Sequence, residues 1–293
     1  MTRLKTLFLI CVLPFAGCGG SGSNEATDAS APPPAEPAEA AIEASLKLYV
    51  FDCGHLRVEP GGFGIQDDET DVRELITPCY IVDHPDGRML WDGGLPSALA
   101  ETDGWDGTQR LDQTLADQLA QFDLGDLGSF DYVAFSHMHF DHVGVANELT
   151  GAIWLVQQPE HDAMFADPVT VPAAQPELYE NLRTLDNVIL NGDHDVFGDG
   201  RVRILSAPGH TPGHQALFLD LAETGPLVLS GDLYHFRLSR EDRRVPVFNF
   251  DEAMTRESME RVESFVSEVG ATFWIQHELA LFEQLNTAPS YYE

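Results

Sequence analysis

Four side chains of metal-ligating type lie within the hexapeptide His137-Met138-His139-Phe140-Asp141-His142, and His210, Asp232 and His277 follow at long intervals. Imidazole nitrogens and carboxylate oxygens are the donors that hold borderline divalent cations such as zinc. A lone His-x-His motif is weak, but this longer series is hard to explain by packing alone. In extended backbone, residues two apart share a side, so His137 and His139 can grip one cation while Met138 and Phe140 face the core. A turn at Asp141-His142 then offers two donors to a second cation. Two cations ~3.5–4 Å apart hold a bridging water as hydroxide near neutral pH and polarise a carbonyl or phosphoryl oxygen. Asp141 and Asp232 neutralise part of the metal charge, and Asp141 can take the proton released as the hydroxide is consumed.

Donors this far apart in sequence need rigid elements behind them. Four apolar runs each end at one: residues 131–136 before His137, 202–205 before Ser206-Ala207-Pro208-Gly209-His210, 227–231 before Asp232, and 272–276 before His277. Read as strands, they place their ends on a common rim. Upstream, residues 46–51 alternate as a strand, and 79–83 and 88–92 form a hairpin through His84-Pro85-Asp86-Gly87. The spacing of Leu111, Leu115, Leu119 and Phe122 predicts a helix that stops at Leu124-Gly125. A later helix opens on Asp251 as N-cap, carries Met259, Val262, Phe265, Val266 and Val269 on one face, and closes at Gly270.

On these residues, positions 46–293 resemble the metallo-β-lactamase superfamily, whose signature is His-x-His-x-Asp-His followed by distant His, Asp and His. Leu90-Trp91-Asp92-Gly93-Gly94 is similar to the family's early strand, where Asp92 would orient the ligand loop. The resemblance implies an α/β fold, the αββα sandwich of two mixed sheets flanked by helices. It also implies that His137, His139 and His210 hold metal one, that Asp141, His142 and His277 hold metal two, and that Asp232 bridges them. Zinc is the default for so His-rich a set, with iron, manganese and cobalt compatible.

Within the superfamily, Leu48-Tyr49-Val50-Phe51-Asp52-Cys53-Gly54, residues 136–144 and the intervals from His210 to Asp232 to His277 are similar to the N-acyl-homoserine lactonases. That implies a hydrolase opening N-acyl-homoserine lactones or related carboxylic esters by attack of a metal-bridging hydroxide. Those lactonases place a substrate-activating Tyr three residues after the bridging Asp. Here Tyr234 stands two after and His235 three after; both are candidates, and the phenol of Tyr234 is the favoured donor. The alternative is a periplasmic β-lactamase, which export suits and a bridging Asp232 does not. His214 reads as support for His210, and His55, His84, His161 and His194 as structural.

The balance of 48 acidic against 16 basic residues gives −32 at pH 7, a field that repels nucleic acid and anionic lipid. Residues 1–17 read as a signal peptide: Arg3 and Lys5, an apolar stretch over 7–13, then Phe15-Ala16-Gly17-Cys18, which resembles a bacterial lipobox. Residues 18–45 are a Gly-, Ala- and Pro-rich tether with a coil reach of roughly 30 Å. The expectation is an exported periplasmic or outer-membrane lipoprotein of a bacterium, touching membrane only through lipidated Cys18. Cys53 and Cys79 remain in the folded part, where two buried free thiols are the commoner outcome.

Overall fold

The computed structural model describes residues 45–293; the leader, Cys18 and residues 19–44 of the tether lie outside the described residues. Strands β1 (Lys47–Arg57), β2 (Glu74–His84), β3 (Gly87–Trp91), β4 (Gln109–Arg110), β5 (Tyr132–Ala134), β6 (Ile153–Gln157) and β7 (Asn187–Leu190) belong to a first sheet. Strands β8 (His194–Asp195), β9 (Val202–Ser206), β10 (Gln215–Leu221), β11 (Gly225–Leu229) and β12 (Thr272–Trp274) form a second. A last strand, β13 (Tyr291–Tyr292), returns to the first, whose order is β13-β1-β2-β3-β5-β6-β7 with β4 beside β1. Both sheets are mixed: β1 to β3 are antiparallel, β3, β5, β6 and β7 parallel, β9 to β11 antiparallel, and β11 and β12 parallel.

The period of two along the strands creates the layers. Leu48, Val50, Val82, Met89 and Trp91 face the other sheet's Ile204, Leu217, Leu219 and Leu229 in a core between the sheets. Their neighbours of opposite parity, Tyr49, Phe51, Ile81 and Leu90, pack with Leu115 and Leu119 of α1 (Leu115–Phe122) and Met164 of α2 (Gln158–Met164). On the far side of the second sheet, Leu205, Ala216, Phe218 and Val228 receive Met259, Val262 and Val266 of α4 (Glu252–Val269), which follows the short α3 (Arg237–Asp242). A final short helix, α5, spans Leu279–Phe282. The result is the αββα sandwich. Helix α4 is bounded as expected, by Asp251 accepting from the Met254 N–H and by Gly270 in the left-handed region at φ 68°. Helix α1 starts later than its apolar spacing suggests, because Thr114 accepts from the Asp117 N–H and caps it; Leu111 is buried in the loop before.

The expectation of free thiols is corrected: Cys53 and Cys79 form a disulfide. Pairing of β1 with β2 sets Phe51 opposite Cys79, and the register shifts between Asp52 and His55, around Gly54 at φ 127°. That bulge draws Cys53 to a Cα–Cα distance of 5.7 Å from Cys79, within bonding range. The two groups of strand ends that matter most for the site follow from topology. Strands β3 and β5 run parallel, and so do β9, β11 and β12, so the chain leaves each group on one rim.

Candidate metal centre

Beyond β5 the chain bends at Ser136 and Met138 rather than continuing extended, and brings His137 and His139 to the rim. His137 Nε2 lies 2.8 Å from His139 Nδ1, which lies 3.1 Å from His210 Nε2. Asp232 closes this group with Oδ2, at 3.2 Å from His210 Nε2 and 3.5 Å from His137 Nε2. Its other oxygen faces a second group: Oδ1 is 2.9 Å from His277 Nε2 and 3.1 Å from His142 Nε2. Those two nitrogens are 3.2 Å apart, and Asp141 Oδ2 stands 3.7 Å from His277 Nε2 and 3.9 Å from His142 Nε2. All seven expected donors therefore converge, in two groups that share one carboxylate.

Donors 2.0–2.1 Å from a tetrahedral cation stand roughly 3.3 Å from each other, and the separations here bracket that value. With a proton on Nδ1, His277 can donate to the Ile76 carbonyl (2.7 Å), His142 to Asp92 Oδ2 (3.0 Å) and His137 to Ser136 Oγ (3.0 Å). In that tautomer each ring would offer its Nε2 to a cation. Asp232 Oδ1 is buried with no well-aligned hydrogen-bond partner, a state that a cation would satisfy. The residues thus fit divalent metal.

Burial holds His137 and His139 well below the usual imidazole range. Burial opposes the charge on His142 too, but Asp232, Asp92 and Asp141 outweigh it and raise that ring. For Asp232, burial is overridden by His277, His142 and His235, which keep the carboxylate ionised.

Buried residues outside the donor set fix the loops. Asp92, at φ 59° after β3, accepts from the Ser136 N–H and from Gln276 Nε2 (2.8 Å), as well as from His142. Gln276 Oε1 accepts from Gly231 N–H (2.7 Å) and Trp91 Nε1–H (3.1 Å), tying the β12 exit to that of β11. His214 donates Nδ1–H to the Ala207 carbonyl (2.9 Å) and accepts the Asp232 N–H at Nε2 (2.8 Å). Burial brings its pKa down to about 3, so the ring is neutral, as that acceptor requires. Sequence reasoning missed Glu160. One oxygen accepts the Met138 N–H (2.8 Å) and the other the Gly213 N–H (2.7 Å), joining the His137–His139 segment to the His210 loop. Burial raises its pKa to about 7 against the pull of Thr211 and those amides. An acid in a helix's first turn reads as a dipole partner, so nothing in the sequence marked it.

The favoured role of Tyr234 is corrected by the backbone. Residues 231–233 make one tight turn, with Asp232 at φ −98°, ψ 23°, and Tyr234 returns to extended conformation. That turn directs Tyr234 away from the donors, among Leu233, Met259 and Val262, with its ring 5.8 Å from Phe273. His235 takes the inward position: Nε2 is 2.9 Å from Asp232 Oδ2, and the ring stacks on His277 at 5.5 Å and 8°. Burial lowers its pKa to about 4, leaving a neutral ring that donates Nε2–H to Asp232. A pocket of about 220 Å³ lies over these groups, with Leu56, Phe63, Phe140 and Phe248 as walls and Asp141, Asp232, His235 and His277 as floor. The remaining histidines stand apart: His55 bridges Asp52 and Glu74, His84 stacks on Phe197, His161 lies beside Trp154 and Phe165, and His194 pairs in β8.

Residues 72–269 match the family model described as metallo-beta-lactamase superfamily. The N-acyl homoserine lactonase AttM of Rhizobium johnstonii is 26% identical over 260 residues, which cover 84% of this chain and 98% of the relative. The N-acyl homoserine lactonase AiiA of Bacillus thuringiensis subsp. kurstaki is 26% identical over 266 residues, covering 84% and 98%. Among solved structures, a quorum-quenching N-acyl homoserine lactone lactonase superposes with a TM-score of 0.71 at 24% identity, over 85% of this chain and 100% of that one. With two-thirds of its length inside the family model and the donor cluster at the shared rim of its sheets, the chain belongs to the metallo-beta-lactamase superfamily.

Proposed function

We propose that the protein is a metal-dependent lactonase acting on N-acyl homoserine lactones or closely related cyclic esters, with two cations, zinc by donor preference. The observation that carries this reading is the splayed Asp232 carboxylate, one oxygen toward each donor group, at the floor of an apolar-walled pocket. The full-length similarity to curated homoserine lactonases supports the substrate class. Divalent cations bound there supply a hydroxide nucleophile and an electrophile for the carbonyl oxygen. The chain's own groups do the rest. Asp232 and the six other donors fix where the ester carbonyl sits. His235 presents Nε2–H from the pocket floor, where a substrate carbonyl oxygen can take the place of Asp232 as acceptor. Asp141 takes the proton released as water is consumed and returns it to the alkoxide oxygen when the ring C–O bond breaks. Phe63, Phe140 and Phe248 keep bulk water from the reacting centre.

The test is turnover of a panel of lactones, esters and β-lactams by protein whose metal content is measured. Close to two cations per chain and a preference for lactones are expected. A fully metallated protein that opens no lactone would remove the reading.

The same proposal extends to location: an exported lipoprotein, periplasmic or on the outer membrane, anchored through Cys18. The basic start, apolar stretch and Phe15-Ala16-Gly17-Cys18 support it, as does a disulfide, which persists in oxidising compartments. Wild type should take up a fatty-acid label and sediment with membranes, and Cys18→Ser should do neither. An unlabelled wild type would exclude the anchor.

A further inference from the structure

Among the polar side chains that line the pocket over the donors, only Arg57 and Thr108 stand outside the floor of histidines and aspartates. Arg57 closes β1, where its N–H donates to the Thr108 carbonyl (2.8 Å) next to the pairing of His55 with Arg110 and Leu56 with Gln109. That pairing brings the loop before β4 against Arg57, whose guanidinium lies over the Trp105 ring, 3.9 Å from its centroid. Arg110 approaches the same ring at 5.0 Å but is also paired with Glu74 (3.6 Å) and Asp112 (3.5 Å). Arg57 pairs with no carboxylate among the described residues, in a chain of 48 acidic and 16 basic residues. A guanidinium stacked on an aromatic face keeps the N–H groups of its edge free to donate.

We propose that Arg57 donates to the amide carbonyl oxygen of the substrate and so selects lactones that carry an acylamino group. The inference rests on the lactonase reading and adds how the amide is recognised. An N-acyl homoserine lactone brings two carbonyls into the pocket. The ester carbonyl of the ring belongs at the floor, with the metal donors and His235. The amide carbonyl then lies nearer the walls, which Leu56, Phe63, Phe140 and Phe248 make apolar, and a carbonyl shut away from water without a donor weakens binding. Thr108 offers a single neutral hydroxyl. Arg57 offers charge-assisted hydrogen bonds, roughly twice as strong as neutral ones, from a group that Trp105 already holds in place. A donor fixed before the substrate arrives loses less freedom on binding.

Arg57→Met keeps an unbranched side chain and removes the donors. The comparison is between N-hexanoyl homoserine lactone and α-heptyl-γ-butyrolactone, which has the same outline with methylenes in place of the amide. At parental metal content the variant is expected to raise the ratio of the first KM to the second about tenfold, the scale of one hydrogen bond to a charged group. The ratio of the kcat values should stay within about twofold, since the contact is equally strong before and during ring opening. A KM ratio that stays at the parental value, whether both constants hold or rise together, overturns the amide contact. A ratio moved by Thr108→Val and not by Arg57→Met overturns it too, by giving the amide to the hydroxyl. Calorimetry with the ring-opened compounds needs no turnover. N-hexanoyl-homoserine should bind the parent about tenfold tighter than Arg57→Met, and the ring-opened heptyl compound should bind both alike. Equal affinity of parent and variant for N-hexanoyl-homoserine overturns the contact even in a protein that opens lactones. Arg57-dependent binding by a parent that opens neither lactone would instead remove the lactonase reading.

Discussion

Asp232 is surrounded by imidazoles on both faces, and which neighbour meets the substrate depends on a single turn of backbone after it. Because residues 231–233 curl before the chain extends, the side chain three positions on, His235, points to the donors, and the one two positions on, Tyr234, points to α4. His235→Ala is therefore expected to lower kcat on a lactone about a hundredfold, the scale of one lost hydrogen bond to a developing oxyanion. Tyr234→Phe should leave kcat within about twofold. The reverse pattern, at equal metal content, would restore the phenol as donor. The seven residues that converge stood out in the sequence because their types, order and intervals resemble the family's motif; the Tyr234 and His235 choice did not, since spacing carries no information on a turn's rotation. Glu160 was illegible for a different reason, its partners being backbone amides 22 and 53 residues away. Glu160→Gln sets an amide N–H against one of those N–H groups. Metal affinity, measured by chelator competition, should fall roughly tenfold or more, as for other residues that support ligand loops; unchanged affinity would make Glu160 a packing residue only.

Strands β1 and β2 show how elements transmit constraint to the site. The Cys53 carbonyl accepts from the Leu95 N–H (2.9 Å), the Gly94 carbonyl accepts from the Gly144 N–H (2.9 Å), and Gly93 N–H donates to the His142 carbonyl (2.6 Å). The disulfide thus sits behind the loop that carries Asp92. Closing 26 residues restricts the unfolded chain by roughly 3–4 kcal/mol, so Cys53→Ala with Cys79→Ala should lower Tm by several degrees in urea-free buffer; an unchanged Tm would deny the bond any net stabilising role. The hairpin from β2 to β3 was legible from Pro85-Asp86-Gly87, whereas the reach of β1 to Arg57 was not, because its bulge breaks the alternation after Phe51. Past that bulge, His55 is clamped between Asp52 Oδ2 and Glu74 Oε1, both at 2.9 Å. Burial would lower its pKa, but Asp52 outweighs burial and raises it. A histidine raised in the folded state stabilises fully below its unfolded value of about 6.5, and that contribution is lost as pH rises through the folded value. His55→Gln should accordingly be more destabilising at pH 5.5 than at pH 9 in denaturant unfolding. Equal losses at both would mean that the ring is not charged in the fold.

At the scale of the molecule, the excess of acid dominates. The chain carries 48 acidic and 16 basic residues, and the described arginines are largely spoken for: Arg88 with Asp83, Arg240 with Glu263, Arg244 with Glu69, Arg256 with Glu252. Composition disclosed that imbalance, but only the structure shows that among the described residues most basic groups are already paired with a carboxylate. Two opposite effects of salt follow. Screening weakens exposed ion pairs, which contribute about 0–1 kcal/mol each, and it relieves repulsion among the unpaired carboxylates, whose number is far larger. Repulsion also acts over longer distances, and shortening the screening length from about 10 Å at 0.1 M to about 3 Å at 1 M removes most of it. The net expectation is that Tm rises between 0.05 and 1 M NaCl. The rise should be the same in KCl, since screening depends on ionic strength rather than on which cation is present, and it should persist in protein already saturated with zinc, which separates it from metal loading. A Tm that falls with salt would mean that the paired arginines outweigh the repulsion, and that the acidic surface is held together by its ion pairs.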